Sequence, residues 1–138
     1  MIPGRFYPIF DSADWIARAL PLGVRFVQLR VKDRPEAETR AEIDRALALG
    51  RAHGAAVVVN DHWRLAIEAG ADWLHLGQED LAEADLRAIR AAGLRLGVAT
   101  HDHAELDRAL AVGPDYVALG PVWPTILKQM KWAPQGLS

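Results

Sequence analysis

Residues 56–76 read AVVVNDHWRLAIEAGADWLHL, and this stretch sets the fold class. Ala56 to Val59 is an apolar run rich in β-branched side chains, too short for a helix and suited to a strand. Leu65, Ile67 and Ala69 follow in a segment with helical spacing, Gly70 closes it, and Trp73 to Leu76 is a second short apolar run. Strand, helix, glycine stop and strand make a βαβ unit, which sets its two strands in one parallel sheet with a right-handed crossover.

The same order repeats on both sides. Further strands are expected over Phe6 to Phe10, Val24 to Leu29, Leu94 to Val98 and Tyr116 to Leu119. Helical spacing marks Ile43, Leu47 and Leu49, and again Leu106 and Leu110. Gly23, Gly54, Gly93 and Gly113 each stand, like Gly70, just before a strand, where glycine ends a helix in the left-handed backbone without strain. Asp11 or Ser12, Pro35 and Asp80 mark helix starts. Six βα units fit into one domain over residues 1–138. The sheet is either an open doubly wound layer or part of a closed (β/α)8 barrel. A whole barrel takes ~250 residues, so on the barrel reading the chain is about two units short.

Composition narrows the function. The chain has 16 basic and 18 acidic side chains, a net charge of -2, 51% apolar residues and no cysteine. Disulfides, zinc–thiolate sites and cysteine nucleophiles are excluded. The near-neutral charge argues against a nucleic-acid partner. No apolar run reaches the ~18 residues of a membrane span, and Met1-Ile2-Pro3-Gly4-Arg5 does not open a secretory signal. A cytoplasmic protein is expected.

In either architecture ligands bind at the carboxyl ends of the strands, and there the polar residues collect. The second strand runs into Gln28-Leu29-Arg30-Val31-Lys32, with Gln28, Arg30 and Lys32 on one face by the two-residue period. Two cations on one face call for an anion between them, most simply a phosphate; the alternative is solvation, with Asp33 or Glu36 as partners. Asp61 and Asp80 end neighbouring strands. They suit a magnesium ion that keeps several waters and takes phosphate oxygens, or equally they are helix N-caps. His75 alternates with Leu74 and Leu76, and either faces the barrel interior or is a hydrogen-bonded core histidine. His101 is a proton carrier or a packed residue, and His62 and His103 read as exposed. The tryptophans, Trp15 among them, are expected in the core or between helices. Pro121 to Gly136 is a proline-rich loop or a tail, in which Thr125 and Lys128 offer a hydroxyl and an ammonium.

Taken together, Gln28 to Lys32, Val59 to Ala66, His75 to Leu81, Leu96 to His101, Ala118 to Thr125, and Lys128-Gln129-Met130 with Ala133 to Leu137 resemble the thiamine-phosphate synthases over nearly the whole chain. That resemblance implies a (β/α)8 TIM-type barrel. It implies a transferase joining 4-amino-2-methyl-5-(diphosphooxymethyl)pyrimidine to a thiazole phosphate, with thiamine phosphate and pyrophosphate as products. It further implies that Gln28, Leu29, Arg30, Val31, Lys32 and Asn60 surround the diphosphate and that Asp61 and Asp80 bind Mg2+. Ala99, Thr125, Leu127 and Lys128 would line the substrate sites, and Arg30, Lys32 and Lys128 would be the catalytic cations. The mechanism implied is dissociative, and charge neutralisation on the leaving group serves it more than a general base does.

Three departures from the family pattern stand out. Ala99 replaces a usual serine, and Leu127 replaces a usual hydroxyl residue; a lost hydrogen bond to a charged ligand costs ~1.5–3 kcal/mol. The third is that the family's last two βα units are expected to be lacking, and the open edges this leaves on the first and sixth strands lead us to expect a second copy or a complementary fragment as partner. Two rival readings stand beside the synthase: a thiazole tautomerase using His101, and an inactive remnant serving as a binding module. Arg30 and Lys32 beside Asp61 and Asp80 favour the synthase, because an isomerase handles no diphosphate.

Overall fold

Six strands pair in the order of the sequence: Ile9–Phe10 (β1), Phe26–Leu29 (β2), Ala56–Asn60 (β3), Trp73–Leu76 (β4), Arg95–Thr100 (β5) and Tyr116–Leu119 (β6). The structure is a computed structural model and describes residues 2–119. Every neighbouring pair is parallel. A doubly wound sheet reverses its strand order at a switch point, whereas a barrel keeps sequence order. No reversal occurs among the described strands, so the open alternative falls and the architecture is of the (β/α)-barrel type.

The sheet is also curled. In a flat six-stranded sheet β1 and β6 would lie about 24 Å apart. Here the hydroxyls of Tyr7, just before β1, and Tyr116, in β6, are 2.7 Å apart. Only a sheet rolled toward closure brings those two edges within reach of two side chains.

Between the strands lie Ala13–Ala19 (α1), Glu36–His53 (α2), Trp63–Ala69 (α3), Gln78–Glu83 (α4), Leu86–Ala91 (α5) and His103–Val112 (α6). Their outward-facing strand partners, such as Val27, Val59, Leu74 and Val98, are buried against Ile16, Ile43 and Ile89 of the helices. Each such burial stabilises by about 1.5–3 kcal/mol. The opposite face carries Phe26, Val58 and Trp73, with Tyr7 and Tyr116 packed on them. Ser12, Asp85 and Asp102 cap α1, α5 and α6 by accepting from Trp15, Ala88 and Glu105 amides. The glycine stops take the left-handed conformation, with φ 65° at Gly54 and 72° at Gly113.

Several local expectations need correcting. β1 is two residues long, because Pro8 interrupts the expected run and offers no N–H to the ladder. Asp80 does not open its helix: Gly77 is the N-cap and Asp80 lies in the first turn of α4. That position still favours its charge through the helix dipole. Trp15 is half exposed beneath the Arg18 guanidinium rather than packed inside. Leu110 is exposed, since α6 turns Glu105 and Ala109 inward instead. Among the described residues no helix is long and apolar enough to cross a membrane.

Candidate functional site

The alternation of β2 continues beyond its last residue. Val31 is buried in the core under the helices, while Arg30 and Lys32 on either side are exposed. The Arg30 amide still bonds the Phe10 carbonyl at 2.8 Å, and its side chain lines an open cleft with Ile9, Phe10, Asp11 and Trp15. Leu29 is buried on the helix side. The Lys32 ammonium meets the Asp61 carboxylate, joining the ends of β2 and β3.

Asp61 is not a helix cap, because His62 occupies the N-cap position of α3. Its backbone φ is 65°, and the His62 amide bonds the Asn60 carbonyl two residues back at 2.8 Å. That is a γ-turn centred on a non-glycine residue at positive φ, a form that stores strain and that aspartate tolerates better than most residues. Strain of this kind clusters at ligand sites. The turn ends β3 abruptly and leaves the Asp61 amide bonded to the His75 carbonyl at 2.9 Å. Asp61 and Asp80 stand after β3 and β4, and no group of three His, Asp or Glu side chains gathers among the described residues. Carboxylate oxygens such as these are hard donors of the kind that could hold magnesium, which completes its shell with water and phosphate. Lys32 engages Oδ2 of Asp61.

Below these charges a chain of polar side chains crosses the inner face. The Asn60 Nδ2 donates to Gln28 Oε1 at 2.8 Å, and Gln28 Nε2 donates to the Tyr7 hydroxyl at 2.8 Å. Tyr7 meets Tyr116 at 2.7 Å, and the Tyr116 hydroxyl meets His75 Nδ1 at 2.7 Å. Gln28, Asn60 and His75 are all buried. Asn60 Oδ1 is buried without a hydrogen-bond partner among the described residues, and a buried acceptor left unmatched is costly. Burial, with the nearby Lys32 charge, lowers the His75 pKa to about 4. Burial raises the Tyr7 hydroxyl, and burial with the neighbouring Tyr7 pushes Tyr116 above its ordinary range. Imidazole and both phenols are therefore neutral at physiological pH.

His75 lies on the inner face of the curled sheet and is hydrogen-bonded there to Tyr116. Ala99 sits on the same inner face of β5, opposite Ala118, and its carbonyl accepts from Gln78 Nε2 at 2.8 Å. His101 is held by Glu105, whose Oε1 lies 2.7 Å from Nδ1 and also accepts from the His101 amide. His62 is half-buried, with Nε2 2.8 Å from the Val31 carbonyl. Thr125, Leu127 and Lys128 lie outside the described residues. Tyr7 and Tyr116 were not singled out by the sequence reading. The strand register sets Gln28, Asn60, His75 and Tyr116 on one face across four strands, an alignment that the two-residue period within one strand does not give.

Comparison with known proteins bears on this arrangement. The family described as thiamine monophosphate synthase matches residues 6–138. A thiamine-phosphate synthase of Rhizobium etli is 65% identical over 132 residues, covering 96% of this chain and 65% of its own. One of Escherichia coli (strain K12) is 59% identical over 131 residues, covering 95% of this chain and 62% of its own. Among solved structures, thiamine phosphate pyrophosphorylase from Pyrococcus furiosus superposes with a TM-score of 0.76 at 28% identity, covering 86% of this chain and 61% of that one. The chain thus spans somewhat under two thirds of the length of these relatives.

Proposed function

Since this chain belongs to the thiamine monophosphate synthase family, we propose that it acts in thiamine-phosphate synthesis and supplies the diphosphate side of the reaction. The substrates on this reading are an aminopyrimidine methyl diphosphate and a thiazole phosphate. The observation that carries it is the Lys32–Asp61 pair, which holds a cation and a carboxylate together where the ends of β2 and β3 meet. A diphosphate needs both: ammonium and guanidinium groups for its oxygens, and carboxylates for the metal that accompanies it.

In the reaction, the bond between the methylene carbon and the diphosphate oxygen breaks, and pyrophosphate leaves with the electron pair. The aminopyrimidine ring delocalises the positive charge left on the methylene, and the thiazole nitrogen donates its lone pair to form the new C–N bond. Arg30 and Lys32 stabilise the departing diphosphate, where the charge develops. Gln28 and Asn60 orient the pyrimidine half, and Thr125 and Lys128 take phosphate oxygens. A magnesium ion held by Asp61 and Asp80 would supply further neutralisation of the leaving group. No side chain has to remove a proton for the C–N bond to form.

The test is incubation of the purified chain with both substrates and magnesium, following thiamine phosphate and pyrophosphate by chromatography. Equimolar formation of the two supports the reading. Binding of both substrates without product would overturn it and leave the chain a binding module.

A further inference from the structure

The polar chain on the inner face has one arrangement in which every hydroxyl both accepts and donates. Gln28 Nε2 donates a hydrogen bond to the Tyr7 hydroxyl, whose own proton can then go to the Tyr116 hydroxyl 2.7 Å away. The order in which every hydroxyl donates once has Tyr116 donating to His75 Nδ1, which lies 2.7 Å from its hydroxyl. In this order each hydroxyl accepts once and donates once, and neutral His75 carries its own proton on Nε2. At the other end Asn60 has given Nδ2 to Gln28 and keeps Oδ1 as a buried acceptor. Asn60 and His75 are register partners on β3 and β4. The relay therefore sets an acceptor beside a donor on neighbouring strands.

What allows Tyr116 to reach His75 is an absence of side chain. Gly97 lies between them, paired with His75 on one side and Tyr116 on the other. A Cβ at Gly97 would overlap the Tyr116 ring and hydroxyl. The Tyr116 ring is also stacked near the His75 imidazole, with centroids 5.6 Å apart.

We propose that Tyr116, seated over Gly97, is a positioning residue: through Tyr7 and His75 it fixes which atoms Gln28, Asn60 and His75 present to the pyrimidine. Tyr116 itself is not a catalytic residue. The inference rests on the function proposed above, and it adds a proton order that matches one ligand edge. An acceptor beside a donor complements a ring with an exocyclic amine next to an unprotonated ring nitrogen. It opposes the 4-oxo analogue, in which a carbonyl stands next to a ring N–H.

Two readouts test it. Nitrogen-15 spectra of histidine-labelled full chain report the His75 tautomer, with His75→Gln assigning the signal. Calorimetric titration with the aminopyrimidine diphosphate and its 4-oxo analogue reports discrimination. We expect the Nε2–H tautomer in the wild type, and in Tyr116→Phe a mixed tautomer with discrimination reduced about tenfold, the effect of one hydrogen bond of ordinary strength. Tyr7→Phe breaks the same relay from its other end and serves if Tyr116→Phe is poorly folded. A wild-type Nδ1–H tautomer, or unchanged discrimination in a folded variant, overturns the proposal. Failure of the wild type to bind either diphosphate would overturn the proposed function instead, and the tautomer spectra alone would then decide the relay.

Discussion

The Lys32 ammonium is paired with the Asp61 carboxylate across the ends of β2 and β3. The lysine side chain is 38% exposed, and pairs of that kind contribute only about 0–1 kcal/mol. Asp61 also sits at φ 65°, where glycine would be at ease. A strained backbone and a weak pair make poor sense as stabilising devices, and good sense as a carboxylate held ready for a charged ligand.

Asp61 substitutions separate these roles. Glycine relieves the positive φ and loses only the weak pair, so Asp61→Gly should unfold in urea within about 1 kcal/mol of the wild type. Asp61→Ala keeps the strain and is expected to be less stable than Asp61→Gly by about 1 kcal/mol. If Asp61→Gly instead loses several times that amount, the carboxylate is structural.

Gly97 and Tyr116 should behave as a coupled pair. Adding a methyl group at Gly97 forces the Tyr116 ring aside, and overpacking of this kind costs about 1–3 kcal/mol. In a Tyr116→Ala background the ring is gone and Gly97→Ala should be nearly neutral. A double-mutant cycle from thermal or urea unfolding reads the coupling; simple additivity would mean that the ring is not what Gly97 accommodates.

The burial of His75 gives stability a pH dependence. Its pKa is lowered to about 4 in the fold, against about 6.5 when unfolded. Folding thus favours the neutral ring, and this contribution is whole above pH 6.5 and lost as pH falls toward 4. The slope reaches about 1.4 kcal/mol per pH unit. Urea titrations in metal-free buffer should show it, and His75→Gln should flatten it. An identical slope in the variant would place the titrating group elsewhere.

Arg30 and Lys32 should each matter for diphosphate affinity more than for the fold. Charge-assisted hydrogen bonds contribute about 1.5–3 kcal/mol, so Arg30→Ala and Lys32→Ala should each weaken binding by about tenfold or more. Both chains should melt close to the wild type, and their affinity should depend less on salt. Variants that bind normally would return these cations to the solvated reading.

Much of this was legible in the sequence, and the residues show why. The strand and helix pattern rests on local signals, glycine stops and short β-branched runs, and these determine local structure. The choice between open sheet and barrel is a long-range matter; it became visible only in the strand order and in the Tyr7–Tyr116 contact. Asp61 was noticed as a carboxylate, but two chemistries shared its spacing. The turn geometry removed one of them, since a residue before the N-cap at positive φ is no cap. Tyr116 escaped notice because its meaning depends on Gly97 one strand away, and cross-strand register is not written in local periodicity.

The central claim is that the strand ends carrying Arg30, Lys32, Asp61 and Asp80 form a magnesium-dependent diphosphate site. Calorimetric titration of the chain with the pyrimidine diphosphate, with and without magnesium and alongside Asp61→Asn, tests it most directly. Asparagine keeps the tolerance for positive φ and removes only the charge. We expect binding that magnesium strengthens in the wild type and no longer strengthens in the variant. Equal affinity in all four titrations, or no binding in any, would contradict the account.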